Sequence, residues 1–218
     1  MGERDTKTRL LDAAEELVAT RGFASTSLRA VTAAAGVNLA AANYHFGSKE
    51  ALVAAVFQRR IEPVNRERLE RLTALEAEHG DSPVPLPDIL EAFLAPALDF
   101  LAGARGAETL LRLHARLHAE PGGRWFGIFV ELFREVAERY TAAFRKTLPD
   151  LPQEELVWRF QFMIGVLVYT MSELQQIEHV IGKRSKTRDP GEITRRLVVF
   201  LEAGFRAPVP TAREGTKP

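Results

Sequence analysis

Apolar positions recur at three- and four-residue spacing along almost the whole chain, and no segment alternates polar and apolar residues between hairpin turns. The pattern predicts an all-α fold of about nine helices. A first helix over 6–20 carries Leu10, Ala13, Ala14, Leu17 and Val18 as one stripe, and Gly22 stands where a helix-ending glycine belongs. Two short helices follow, over 27–35 and 39–45, with Gly36 supplying the permissive backbone of a tight turn between them. Ser48 is a good N-cap for a long fourth helix that runs past Pro63, where proline is expected to bend it. The stretch GDSPVPLP, with three prolines in eight residues, is the clearest loop, and Asp88 is the expected cap of the helix after it, with Pro96 a second kink candidate. Further helices are expected over 107–118, 123–146, 153–181 and 192–206, with a disordered tail over 207–218.

The helices change character near residue 50. Before it they are short and alanine-rich; after it they are long and rich in Phe, Leu and Val. This divides the chain into a small reading head over 1–60, a helical body over 61–206 and the tail over 207–218. The four-residue spacing of His114 and His118 puts both on one helix face, but no carboxylate motif joins them, and two ligands do not close a zinc site. Neither a metal nor a cofactor is expected.

Composition narrows the picture. Lys+Arg 29 against Asp+Glu 29 leaves no formal net charge in 218 residues, so any polyanion-binding surface must be local. The absence of cysteine excludes disulfides and thiolate metal sites. The N-terminus is charged and amphipathic, and the most apolar run, Phe160–Met171, falls short of the roughly 20 residues that span a bilayer. A soluble, cytoplasmic protein without a membrane partner is expected. No nucleophile elbow, phosphate-cradling glycine loop or acid–base pair is singled out by spacing, which argues against an enzyme.

The segment Ser27–Lys49, SLRAVTAAAGVNLAAANYHFGSK, carries the chemistry. It contains Arg29, His45 and Lys49 and no acidic residue, although 27% of the chain is charged. Local exclusion of acids points to a polyanion, and two short helices about a turn point to helix-turn-helix recognition of double-stranded DNA. Asn38 and Leu39 open the second helix. Ala40, Ala41 and Ala42 are small enough for close backbone approach and for contact with thymine methyls, and Asn43 can pair with adenine's edge. Tyr44 and His45 suit phosphates, and Lys49 starts the next helix, where cation and helix dipole both favour an anion. Ser27 and Arg29 can reach a base edge or a phosphate.

The pattern TRLLDAAEELVATRGFASTSLRAVTAAAGVNLAAANYHFGSKEALV resembles the DNA-binding domain of the TetR family of transcriptional regulators. The matching elements are Thr8-Arg9, Ala13-Ala14, Leu17, Arg21-Gly22-Phe23, Thr26-Ser27, Ala35-Gly36-Val37, His45-Phe46 and Lys49-Glu50-Ala51-Leu52. The chain departs from the pattern at Asn43, where the family usually has tyrosine; the aromatic follows at Tyr44. NYHF with RIEPVNRERL is similar to a branch that includes fatty-acid-responsive repressors. The resemblance implies a homodimeric regulator, most often a repressor, released from a near-palindromic operator by a small apolar or amphipathic effector. The alternative is a DNA-binding protein of this fold controlled by a protein partner.

The resemblance also implies a dimer built from the last two long helices. Independently, 160–171 is apolar almost all round and Ile193, Leu197, Phe200 and Leu201 share one side of the last helix. Leu167, Met171, Leu174, Ile193, Leu197, Phe200 and Leu201 are the expected interface. Phe93, His114, His118, Trp125, Phe129, Phe133, Trp158 and Phe162 are the candidate pocket lining, with plain core packing the competing role for the aromatics. Arg59, Arg60, Arg66, Arg68 and Arg71 interleave with Glu62, Glu67 and Glu70 and read as a solvated helix face with local ion pairs.

Overall fold

The computed structural model describes residues 3–103, 124–181 and 189–210. Among them are eight α-helices and no strand: α1 (Glu3–Arg21), α2 (Leu28–Ala35), α3 (Leu39–Phe46), α4 (Lys49–His79), α5 (Leu86–Gly103), α6 (Arg124–Thr147), α7 (Gln153–Ile181) and α8 (Pro190–Arg206). The helix expected over 107–118, with His114 and His118, lies outside the described residues, as do the side chains of Trp125, Phe129 and Leu174. Among the described residues no helix is long and apolar enough to cross a membrane. The chain forms two compact units, one from residues 1–67 and 100–136, the other from 68–99 and 137–218.

In the first unit α1 buries Leu10, Leu11, Ala14 and Val18, an i, i+4, i+8 stripe with one neighbour, and leaves Asp12, Glu16 and Thr20 exposed. Gly22 ends the helix at φ 84, its amide donating to the Val18 carbonyl at 2.9 Å. The chain then drops Phe23 into the core, where it stacks on Phe57 of α4 with ring centroids 5.6 Å apart. Val31, Ala35, Ala42, Leu52, Val53, Val56 and Ile61 complete this core, and Leu132 and Phe133 pack against it. Truncating a fully buried phenylalanine such as Phe23 costs about 3–5 kcal/mol.

Charges fix α1 to α4. Glu15 is buried and paired with both Arg59 and Arg60, the latter at 2.8 Å; Arg59 also reaches Asp12 at 2.6 Å. Burial opposes the charge on Arg59, but its bonds to Glu15 and Asp12 outweigh that and hold its pKa above the ordinary value. Arg59 and Arg60 thus bridge helices, where their spacing suggested a solvated face of α4.

Arg68, in the second unit, departs further from that expectation. It is fully buried, its Nε donates to the Phe93 carbonyl at 2.8 Å, and its guanidinium lies 4.1 Å from the Phe93 ring centroid. Burial lowers its pKa to about 10, so it still carries charge at neutral pH. The Tyr140 hydroxyl donates to the Arg68 carbonyl at 2.8 Å. Phe93 meets Tyr140 and Phe160 edge-on, and Phe144 stacks on Phe205 at 4.8 Å. Arg159, also buried, donates to the Phe205 carbonyl at 2.6 Å and so ties α7 to the last turn of α8.

Helix α5 starts two residues before the expected cap. Proline is tolerated in a first helical turn, so Pro87 does not delay the helix; the Pro85 carbonyl accepts from Asp88 and Ile89, and Asp88 lies inside the first turn. Helix α8 likewise starts early, at Pro190, because Asp189 caps it by accepting from the Glu192 amide at 2.9 Å.

Candidate nucleic-acid interface

The reading head is assembled by caps. Ser27 Oγ accepts from the Ala30 amide at 3.1 Å to start α2, and Asn38 Oδ1 accepts from the Ala41 amide at 2.8 Å to start α3. Ser48 Oγ accepts from the Ala51 amide at 3.0 Å and starts α4 at Lys49. Gly36 joins α2 to α3 at φ 64, a conformation side chains rarely adopt. Its carbonyl accepts from Arg9 Nη2 at 3.2 Å, and the same nitrogen donates to the Ala35 carbonyl. A Cβ on Gly36 would lie 2.8 Å from that nitrogen. Arg9 thus braces the turn from α1, a role that its place in the Thr8-Arg9 motif does not reveal.

With the turn fixed, α3 presents one face outward. Leu39, Ala40, Asn43 and Tyr44 are exposed, Tyr44 to 76%, and Ala42 is fully buried. Ala42 therefore belongs to the core of the first unit and not to the surface expected for it. Ala41 and His45 are half-buried, with His45 edge-on to Tyr44 at 5.2 Å. On α2, Ser27 and Arg29 are exposed. Lys49 is half-buried, and its Nζ donates to the Ala24 carbonyl at 3.2 Å, which ties the start of α4 to the loop ahead of α2.

Of the residues expected around an effector, the side chains of Phe93, Phe133, Trp158 and Phe162 are among those described. Phe93 is buried against Arg68, Tyr140 and Phe160, and Phe133 packs on the core of the first unit. Trp158 and Phe162 are 52% and 60% exposed, so they line no interior surface; they lie on the outer face of α7, ring against ring at 5.9 Å. The expected dimer face needs a parallel correction. Leu167, Leu197 and Leu201 are buried within the chain's own core, Met171 and Ile193 are half-buried, and Phe200 is 65% exposed beside exposed Val199. Helix α8 is apolar on two sides, and the Leu197–Leu201 side is the one turned inward.

A two-helix turn that presents a small, acid-free helix, among described residues that otherwise form helices, defines a DNA-binding transcriptional regulator of the helix-turn-helix class. Residues 91–204 match the family model described as the tetracyclin repressor-like C-terminal domain, and residues 10–56 match that of bacterial regulatory proteins of the tetR family. The chain belongs to the TetR family, whose members are transcription regulators and not enzymes. Solved structures share its fold. The fatty acid degradation regulator FadR from Bacillus halodurans matches at 14% identity and TM-score 0.65, over 92% of this chain and 96% of that one. SmeT, the repressor of the Stenotrophomonas maltophilia multidrug efflux pump SmeDEF, matches at 21% identity and TM-score 0.61, over 92% and 91%. A TetR-family regulator from Bordetella parapertussis matches at 15% identity and TM-score 0.61, over 89% and 93%. No curated protein matches the sequence at a significant level.

Proposed function

We propose that the protein is a homodimeric, cytoplasmic repressor that leaves a near-palindromic operator when a small apolar or amphipathic effector binds its body. DNA binding is assigned to residues 1–60, effector binding and dimerisation to 61–206, with 207–218 as a tail. The observation that carries this reading is the outward face of α3, braced by Arg9 and Gly36 and free of acids from Ser27 to Lys49. Ser27, Arg29, Asn38, Leu39, Ala40, Ala41, Asn43, Tyr44, His45 and Lys49 form the contact set, with Ala41 and His45 at its half-buried edge.

The exposed apolar face of α7 and α8 supports dimerisation. Trp158, Phe162 and Tyr169 on α7, with Val199 and Phe200 on α8, are too large and too exposed to suit water. Gly165 and Gly204, with open space where a Cβ would stand, let a partner helix approach closely. A two-fold dimer sets two recognition helices roughly 34–36 Å apart, one DNA turn. Fold neighbours described as a regulator of fatty acid degradation and as a repressor of a multidrug efflux pump support repression and an apolar effector. Helix α4 is continuous from Lys49 to His79, so an effector that shifts its far end changes the placement of the reading head.

Mobility-shift titration of the selected operator, with and without a panel of acyl chains and hydrophobic drugs, tests the scheme. An effector should weaken binding at least about tenfold; a ligand that raises the melting temperature yet leaves operator affinity unchanged would count against release by that ligand.

A further inference from the structure

The exposed face of α3 is made by Leu39, Ala40, Asn43 and Tyr44, at positions i, i+1, i+4 and i+5. Ala42 is inside the core, and Ala41, His45 and Phe46 are half-buried. In the major groove guanine's N7 and O6 are bound in pairs by Arg or Lys, and cytosine's amino group by Asp or Glu. Adenine's N6 and N7 are bound by Asn or Gln, and the thymine methyl by apolar side chains. The α3 face holds none of the residues that read a G·C pair in these ways. Its one amide able both to donate and to accept is that of Asn43, which has no partner among the described residues. Asn38 differs, because its oxygen is taken by the Ala41 amide at 2.8 Å and only its N–H groups remain. Leu39 and Ala40 supply apolar surface beside Asn43.

We infer that α3 reads A·T base pairs, with Asn43 paired to an adenine edge and Ala40 and Leu39 against thymine methyls, so that the core of each operator half-site is A·T. Arg29, on α2, and Lys49, at the start of α4, are the Arg and Lys of the contact set, and Lys49 Nζ is already bonded to the Ala24 carbonyl at 3.2 Å, so a guanine in the half-site falls to Arg29 and lies outside the α3 contacts. Tyr44 extends past the groove edge to the backbone. This inference rests on the reading of the chain as a sequence-specific DNA-binding dimer.

Selection of duplexes from a random pool by the full-length protein, repeated with Asn43→Ala, is the test. The wild type should enrich inverted half-sites with an A·T core, and Asn43→Ala should lower the preference for one adenine by about tenfold or more. Replacing the enriched thymines by deoxyuridine, which removes only the 5-methyl group, should weaken wild-type binding severalfold. Half-sites with a G·C core, or an adenine preference untouched by Asn43→Ala, would overturn the A·T assignment while leaving the regulator reading intact. DNA retention with no enriched sequence would overturn both.

Discussion

Among the described residues two helix faces left uncovered by the protein's own core are built from different materials. On α3 a small and a polar residue, Ala40 and Asn43, stand at the centre of the outward face, flanked by Leu39 and Tyr44. On α7 and α8 they are large and apolar, with Trp158, Phe162, Tyr169, Val199 and Phe200 all more than half exposed. A groove read by hydrogen bonds needs little bulk and no desolvated aromatic, whereas a protein–protein face gains most from aromatic anchors in a dry centre. The material of each face thus indicates its partner, and substitutions on the two should have separable effects.

The largest effect is expected from Trp158→Asp combined with Phe162→Asp. Both side chains point away from the chain's own core, so the helices should persist while the species in sedimentation falls from two chains to one. Two lost anchors, each worth about 2 kcal/mol or more, should weaken operator binding at least about 100-fold. Unchanged mass would move the dimer face elsewhere.

Next in size is Gly36→Ala. The Arg9 side chain can move aside, but an L-residue at φ 64 is strained, at a cost of about 1–2 kcal/mol. The melting temperature should fall by about 2–8 °C. Association in sedimentation should be unchanged, which separates the head from the α7–α8 face.

Arg29→Ala tests how little charge the head uses. Each phosphate contact contributes about 0.9 to the slope of log affinity against log salt, so a dimer losing two should show a slope smaller by about two. An unchanged slope would mean that Arg29 touches no phosphate and would favour its assignment to guanine.

The smallest effect is expected at Tyr140. Burial disfavours the phenolate and raises the pKa, and the neighbouring charge of Arg68 only partly offsets this. The sign follows: the phenol stays protonated at a pH where an ordinary tyrosine ionises. In an ultraviolet titration Tyr140→Phe should remove a phenol step above the ordinary tyrosine range, with a stability loss of about 1 kcal/mol from the missing hydrogen bond.

Much of this was legible in the sequence because helix ends announce themselves chemically. Ser27, Gly36 and Ser48 are residues whose side chain or backbone suits one end of a helix, and each stands there. Inward and outward sides of a doubly apolar helix are not distinguished this way. Leu197 and Leu201 share α8 with Val199 and Phe200 at similar hydrophobicity, and only packing decides that the leucines turn in. Long-range charge pairing is equally hidden. Glu62, Glu67 and Glu70 are the sequence neighbours of the α4 arginines, yet Arg59 and Arg60 bind Glu15 from α1, and Arg68 lies against Phe93. Ala40 and Ala42 look alike as residues, and one helical step separates the groove-facing surface from the core.

Sedimentation of the full-length protein, free and with a selected operator duplex, tests the pairing of the two faces most directly. Two chains in solution, and two chains on one duplex bearing both half-sites, are expected. A single chain in solution that binds one half-site as tightly as the full operator would contradict it.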